Sequence, residues 1–271
     1  MKTLIHVWTH NFNINKEHLD KYNTLNEKDF YFGLGDLIRS TLKLFYLSKK
    51  MNFNLYIDLQ LHPISKYLDI PFNPFSENVI NNKDNIDYVC YGGVEDYINS
   101  HTPNQIMYIL TNDFYEGPLS SLEQNYIKSI LTPKIEFQKY IDLVINSIPF
   151  ENFNILHLRI GDDFFQNKQS KICLEELVNF VSVNKEENDL FITDSEIIKK
   201  HIFLNENIYT LNGYICHLGL EKNQDKVRDT LLEFFLLTRC KKIKTLCKIH
   251  QISGFVKWIS KIYDIELIAY N

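Results

Sequence analysis

The ten residues Asn154-Ile-Leu-His-Leu-Arg-Ile-Gly-Asp-Asp163 constrain the fold of this chain more than any other stretch. Phe153, Ile155, Leu156 and Leu158 mark a buried strand, and the strand runs into a tight turn at Gly161. His157, Arg159 and Asp162 therefore collect at its carboxyl end. In an open α/β sheet that end is where ligands bind, because the following loop leads into a helix whose amino terminus faces the crevice. An arginine there suits a phosphate, being planar, permanently charged and rich in fixed donors. The competing reading is an arginine paired with Asp162 or Asp163 simply to close the turn.

Other segments repeat the pattern. Thr3 to Trp8 reads as a first strand, and residues 9–31 are polar. Gly33-Leu34-Gly35-Asp36 then opens a helix whose apolar stripe runs through Leu37, Ile38, Leu42, Phe45 and Leu47, and Asn54 to Asp58 follows as a strand. Glycines at a helix start let the backbone approach an anion and aim the first-turn amides at it. Asp36 also has the simpler reading of a helix cap. Residues 60–105, with their prolines and Asn/Asp-rich tract, read as loops with short elements. Ile106 to Leu110 reads as a strand, with helices over 119–131 and 134–147. Pro149 then marks a domain boundary, giving domains over residues 1–150 and 151–271.

Beyond the central stretch the pattern predicts a helix over 174–183, a strand over 189–193 ending in Thr193-Asp194-Ser195, and a helix from Glu196. A carboxylate at Asp194 could accept two hydrogens from guanine, or it could cap the helix from Ser195. An apolar helix spans Arg228 to Thr238, strands cover 242–246 and 265–269, and Ser253-Gly254 starts the last helix as another amide-rich anion site. Arg239, Lys241, Lys242, Lys244 and Lys248 read as a solvated basic face.

Bulk properties exclude several classes. A net charge of −5 over 271 residues gives no global field for nucleic acid. Five cysteines (Cys90, Cys173, Cys216, Cys240, Cys247) without a C-x-x-C pair argue for reduced thiols, not a disulfide framework or a structural zinc. The amino terminus is too short an apolar run for a signal segment, and nothing is long enough to span a membrane. The expectation is a soluble, cytoplasmic α/β protein.

The order of motifs resembles the GDP-fucose-dependent fucosyltransferases, nearest the α-1,6 and nodulation-factor branch and more distantly the α-1,2 and protein O-fucosyltransferases. Phe32-Gly-Leu-Gly-Asp36 resembles their glycine loop and His157-Leu-Arg-Ile-Gly-Asp162 their arginine signature. Phe191-Ile-Thr-Asp-Ser195 resembles their donor-binding segment and Ser253-Gly-Phe255 their Ser-x-Phe segment, and Asp229 also fits. The resemblance implies a GT-B-like α/β fold, with two Rossmann-like doubly wound domains facing across a cleft. The first would be the acceptor side and the second would bind the nucleotide sugar. It implies that Arg159 holds the β-phosphate, and that Gly33, Leu34, Gly35, Ser253, Gly254 and Phe255 line the diphosphate. His157, Asp194 and its neighbours Thr193 and Ser195 would lie near guanine, and Gly161 and Asp162 would shape the arginine loop.

Cleaving an anomeric C–O bond puts negative charge on the departing diphosphate, and a cation with helix amino termini stabilises it selectively. No Asp-x-Asp occurs in the chain, so the expectation is inverting transfer without a metal or other cofactor. Two positions depart from the family: Ile160 replaces the second arginine of its signature, and Asn167 falls near the place of the α-1,6 enzymes' glutamate base. Asp162, Asp163 and Asp36 remain alternatives for that base. Two other readings compete: a transferase using another nucleotide sugar, since Gly33-Leu-Gly-Asp36 also resembles the ADP-sugar-using heptosyltransferases, and a non-catalytic nucleotide- or glycan-binding descendant. The acceptor is expected to be a glycan or glycoconjugate bound on loops.

Overall fold

The computed structural model describes residues 1–9, 33–81, 85–89, 92–160, 174–213, 218, 223–247 and 252–270. The chain divides into two compact units, Met1–Phe137 with His217–Lys222, and Gln138–Cys216 with Asn223–Asn271. The division falls within a helix, Ile135–Ser147, ahead of Pro149.

The first unit carries strands β1 (Thr3–Val7), β2 (Asn54–Asp58), β3 (Asp87–Val89) and β4 (Ile106–Thr111). All pair in parallel, in the order β2-β1-β4-β3. Its helices are α1 (Leu34–Met51), α2 (Ser76–Asn81), α3 (Val94–Ser100) and α4 (Ser121–Ile130), with a 3₁₀ turn at Pro63–Lys66. Alternation along β1 sends Leu4 to a core shared with Leu44 and Leu47 of α1 and Val94 and Ile98 of α3. Ile5 and Val7 go to a second core with Val79 of α2. The sheet is thus covered on both faces, as a parallel sheet requires.

The second unit holds β5 (Asn154–Arg159), β6 (Asp189–Thr193), β7 (Lys242–Cys247) and β8 (Glu266–Tyr270), parallel in the order β6-β5-β7-β8. Its helices, after α5 (Ile135–Ser147), are α6 (Leu174–Asn184), α7 (Glu196–Asn205), α8 (Gln224–Leu237) and α9 (Gly254–Tyr263). Leu156, Leu158 and Ile160 pack against Leu177 and Val181 of α6 and Ile198 and Ile202 of α7. The chain goes outward from β5 to β6, returns across β5 to β7, and goes outward again to β8. The reversal lies between the carboxyl ends of β5 and β7, the place where doubly wound sheets open a crevice.

The α/β class, with two Rossmann-like parallel sheets, is as expected. One expectation fails. Lys244, assigned to a solvated basic face, is 2% exposed in its side chain, and its ammonium lies 2.6 Å from the buried Asp189 carboxylate. β7 sits inside the sheet, so an inward-facing residue there is enclosed whatever its chemistry, and the lysine is retained only because β6 supplies a carboxylate. Lys242 does reach the exposed Glu186, at 3.3 Å.

Candidate active site

β5 delivers two of the expected residues to the reversal point. His157, the fourth residue of the strand, is buried, and its Nδ1 lies 2.7 Å from the Thr245 hydroxyl on β7. Burial, and secondarily the neighbouring Arg159 charge, lowers its pKa to about 3, so the imidazole is neutral near neutral pH. Arg159 ends the strand opposite Cys247 of β7, with its side chain 23% exposed.

The arginine is held from the neighbouring strand. Its Nη1 lies 3.0 Å from Asp194 Oδ2, and the Ile160 amide donates to Asp194 Oδ1 at 2.9 Å. Asp194 therefore is not the cap of α7. Ser195 takes that place, its hydroxyl accepting from the Ile198 amide at 3.4 Å, while the Ser195 amide donates to Thr193 Oγ1 at 3.3 Å. Asp194, its side chain 10% exposed, thus orients the guanidinium from the end of β6.

Behind Asp194 lies a charged pair that the sequence reading missed. Lys199 of α7 and Glu233 of α8 meet at 3.0 Å, each side chain 8% exposed. Burial raises the Glu233 pKa; Lys199 opposes that effect, and Asp229 and Asp194 reinforce it, which sets the three carboxylates in one electrostatic neighbourhood. The available signal was Glu233 itself, a lone acid inside Leu231-Leu-Glu-Phe-Phe235. Asp229 Oδ1 accepts from Arg228 Nε and Nη2 at 3.0 and 2.8 Å. Gly213 packs so tightly beside Asp229 that an added Cβ would stand 3.3 Å from its Oδ2.

Ser253 is the amino-cap residue of α9 and makes no side-chain cap hydrogen bond, and the first turn holds no acid. Gly254 is exposed there, and the Phe255 ring meets Phe234 of α8 edge-on at 5.6 Å. The positive dipole end of the helix, with no acid in its first turn and no cap from the Ser253 side chain, suits an anion. In the first unit Gly33 caps α1 and donates its amide to Asp36 Oδ2 at 3.0 Å, while Asp36 Oδ1 pairs with Arg39 at 2.9 Å. The capping reading of Asp36 therefore holds. Leu34 and Gly35 are buried in the first turn. Gly161, Asp162 and Asp163 lie outside the described residues, as do Phe32 and Asn167.

Among the described residues no group of three His, Cys, Asp or Glu side chains could hold a metal ion, and no helix is long and apolar enough to cross a membrane. A polar depression of about 600 Å³ lined by Phe150, Asn154, Asn188 and Lys241 lies at the amino end of β5, the opposite end from Arg159. Strand order and helix termini, not cavity size, therefore locate the site.

No protein-family model matches the sequence, and no curated protein aligns with it. Solved structures do match its fold. The α/β fold with two parallel four-stranded sheets is shared with solved fucosyltransferases. In particular, the chain is similar in fold to the α-1,6-fucosyltransferase NodZ co-crystallised with GDP, at 11% identity over 95% of this chain and 91% of that one, with a TM-score of 0.53. The same enzyme soaked with GDP-fucose gives 11% identity over 96% and 92%, with a TM-score of 0.53. A mutant of Arabidopsis thaliana FUT1 in complex with GDP gives 11% identity, coverage of 99% of this chain and 70% of that one, and a TM-score of 0.55.

Proposed function

We propose that the chain is a glycosyltransferase moving fucose from GDP-fucose to a hydroxyl of a glycan or glycoconjugate, with inversion and without a metal, in the cytoplasm. Residues 151–271 would bind the donor and residues 1–150 would serve the acceptor side. The observation that carries this reading is Arg159 fixed by Asp194 at the reversal point of the second sheet, on the strand beside the one that leads to the uncapped α9 amino terminus. A pyrophosphate seated there would meet a delocalised cation and helix amides, which stabilise it most when the sugar leaves. The GDP and GDP-fucose complexes of similarly folded enzymes support the choice of donor.

The other roles follow from placement. Ser253, Gly254 and Phe255 would bring amides to the diphosphate. His157 is a neutral ring in this reading, a hydrogen-bonding wall near guanine and not a proton carrier. Thr193, Asp194 and Ser195 would frame the base, with Asp229 beyond them. Asp162, Asp163 and Asp36 are the alternatives for the base that takes the acceptor hydroxyl's proton. The test is release of GDP from GDP-fucose with and without a panel of oligosaccharides. The wild-type chain should turn over, and Arg159→Ala should lose about 10²–10³ in kcat with its melting curve intact, the size of one lost transition-state donor. Normal turnover by that variant would overturn the assignment.

A further inference from the structure

In the first unit the loop after β4 is held by an unusual number of its own contacts. Asp113, 2% exposed, accepts the Gly92 and Val94 amides at 2.7 and 3.2 Å and donates its own amide to Thr111 Oγ1 at 3.1 Å. Tyr115 donates to the Pro118 carbonyl at 3.1 Å and lies across Gly117, where a Cβ would come within 2.7 Å of its hydroxyl. Between these anchors Phe114 stands 52% exposed. A loop fixed on both sides that nevertheless presents a phenyl ring to solvent is preorganised for a contact, since the ordering cost has been met before any ligand arrives.

The ring is part of a wider surface. Asp36, Arg39, Lys43 and Tyr46 recur at helical spacing on the solvent side of α1. Arg39 lays its guanidinium over the Phe114 ring at 4.2 Å, and Tyr46 meets Tyr115 at 5.8 Å. Arg39 pairs with Asp36 through Nη2, but its Nε is buried and has no hydrogen-bond partner. The surface also lies beyond the carboxyl end of β4, on the ligand-binding side of a parallel sheet.

We propose that Phe114, Arg39 and Asp36 form a subsite for an uncharged pyranose of the acceptor. The chemistry selects that class. Arg39 covers one face of the phenyl ring, and the part that stays exposed offers an apolar platform to the C–H face of a sugar, while the carboxylate and the guanidinium edge beside it accept from and donate to vicinal hydroxyls. Arg39 and Asp36 neutralise one another, so the pair beside the ring adds no net charge to favour a phosphate or an acidic sugar over a neutral one, and the remaining cation, Lys43, lies one turn further along α1. This subsite rests on the transferase reading, whose own failure has a separate readout.

The test is a saturation-transfer NMR titration of the full chain with methyl β-glucopyranoside, methyl β-galactopyranoside, lactose and cellobiose, with glucuronate and inorganic phosphate as charged comparators. Stabilisation by GDP is measured in parallel. At least one neutral saccharide should bind the wild-type chain, and Phe114→Ala should weaken it at least tenfold while the GDP-induced shift in Tm is unchanged. Arg39→Met should weaken the same saccharide, and the exposed Phe114 variant decides the matter should Arg39→Met fold poorly. Unchanged saccharide binding in Phe114→Ala, preference for glucuronate or phosphate, or no neutral saccharide binding beside a normal GDP shift would each overturn the subsite. Absence of a GDP shift would instead count against the transferase reading.

Discussion

Arg159 and Ile160 are neighbours in the chain and opposites in environment. Strand alternation sends Ile160 into the core beside Leu156 and Leu158, 1% exposed, while Arg159 is left partly exposed. The missing second arginine is therefore accounted for locally: position 160 supplies packing with α6 and α7 and only its backbone amide, given to Asp194, reaches the site. The two buried histidines carry a pH prediction. His6 on β1 and His157 on β5 both have pKa values lowered to about 3 by burial, against an ordinary value of 6.5. Below pH 6.5 the unfolded chain binds protons that the folded chain excludes, so stability present above pH 6.5 falls as pH drops toward 3. Each histidine contributes a slope of about 1.4 kcal/mol per pH unit in that window. Thermal unfolding between pH 7.5 and 5 should show Tm falling with acid, and His157→Asn, which can keep the contact to Thr245, should flatten the fall. An equal slope in that variant would assign the acid sensitivity elsewhere.

Helices and strands were legible wherever their own residues decided them. The apolar run around β5, the stripe of α1 and the Asp189–Thr193 strand needed no outside information, and each is present. What was hidden depended on distant partners. β3 is three residues in an Asn/Asp-rich tract and exists because β4 pairs with it in register. Lys244 looked like surface because Asp189, 55 positions away, gives no local sign of answering it. Asp194 was also read as a cap of α7, but Ser195 is the cap, and the Ile160 amide and Arg159 that Asp194 meets are 34 and 35 residues upstream. The Lys244–Asp189 pair links β7 to β6 across the intervening β5, with the Asn184 carbonyl also accepting from the ammonium, at 2.5 Å. Removing one member strands a buried charge. Lys244→Met should cost about 3–5 kcal/mol, read as a lower urea midpoint, whereas Lys244→Met with Asp189→Leu should recover much of the loss. A single variant as stable as wild type would show that the pair is dispensable.

The two units solve the same problem with one plan. Each builds a parallel four-stranded sheet on the first strand of the unit, and each puts a histidine fourth in that strand, its Nδ1 on a threonine hydroxyl: His6 on Thr41 at 3.0 Å, His157 on Thr245 at 2.7 Å. The residue two places on differs. Trp8 turns its indole N–H back to Thr41 and His6, whereas Arg159 stays partly open and is charged. In the proposed function the anion-binding groups are concentrated in the second unit, and its stability should respond to nucleotide. A ligand at about 100 times its Kd contributes about 2.7 kcal/mol, several degrees in Tm for a unit of this size. GDP should raise the transition by that amount, because an acidic group near the base can accept both the N1 and exocyclic amine hydrogens of guanine. ADP and UDP at the same concentration should raise it little. Arg159→Ala should shrink the GDP effect, and raised ionic strength should shrink it less than it would for an exposed cation, since the guanidinium is largely shielded from solvent. A response to ADP alone would redirect the donor assignment to the ADP-sugar transferases. Equal shifts with all three nucleotides would mean that the site reads the diphosphate and not the base.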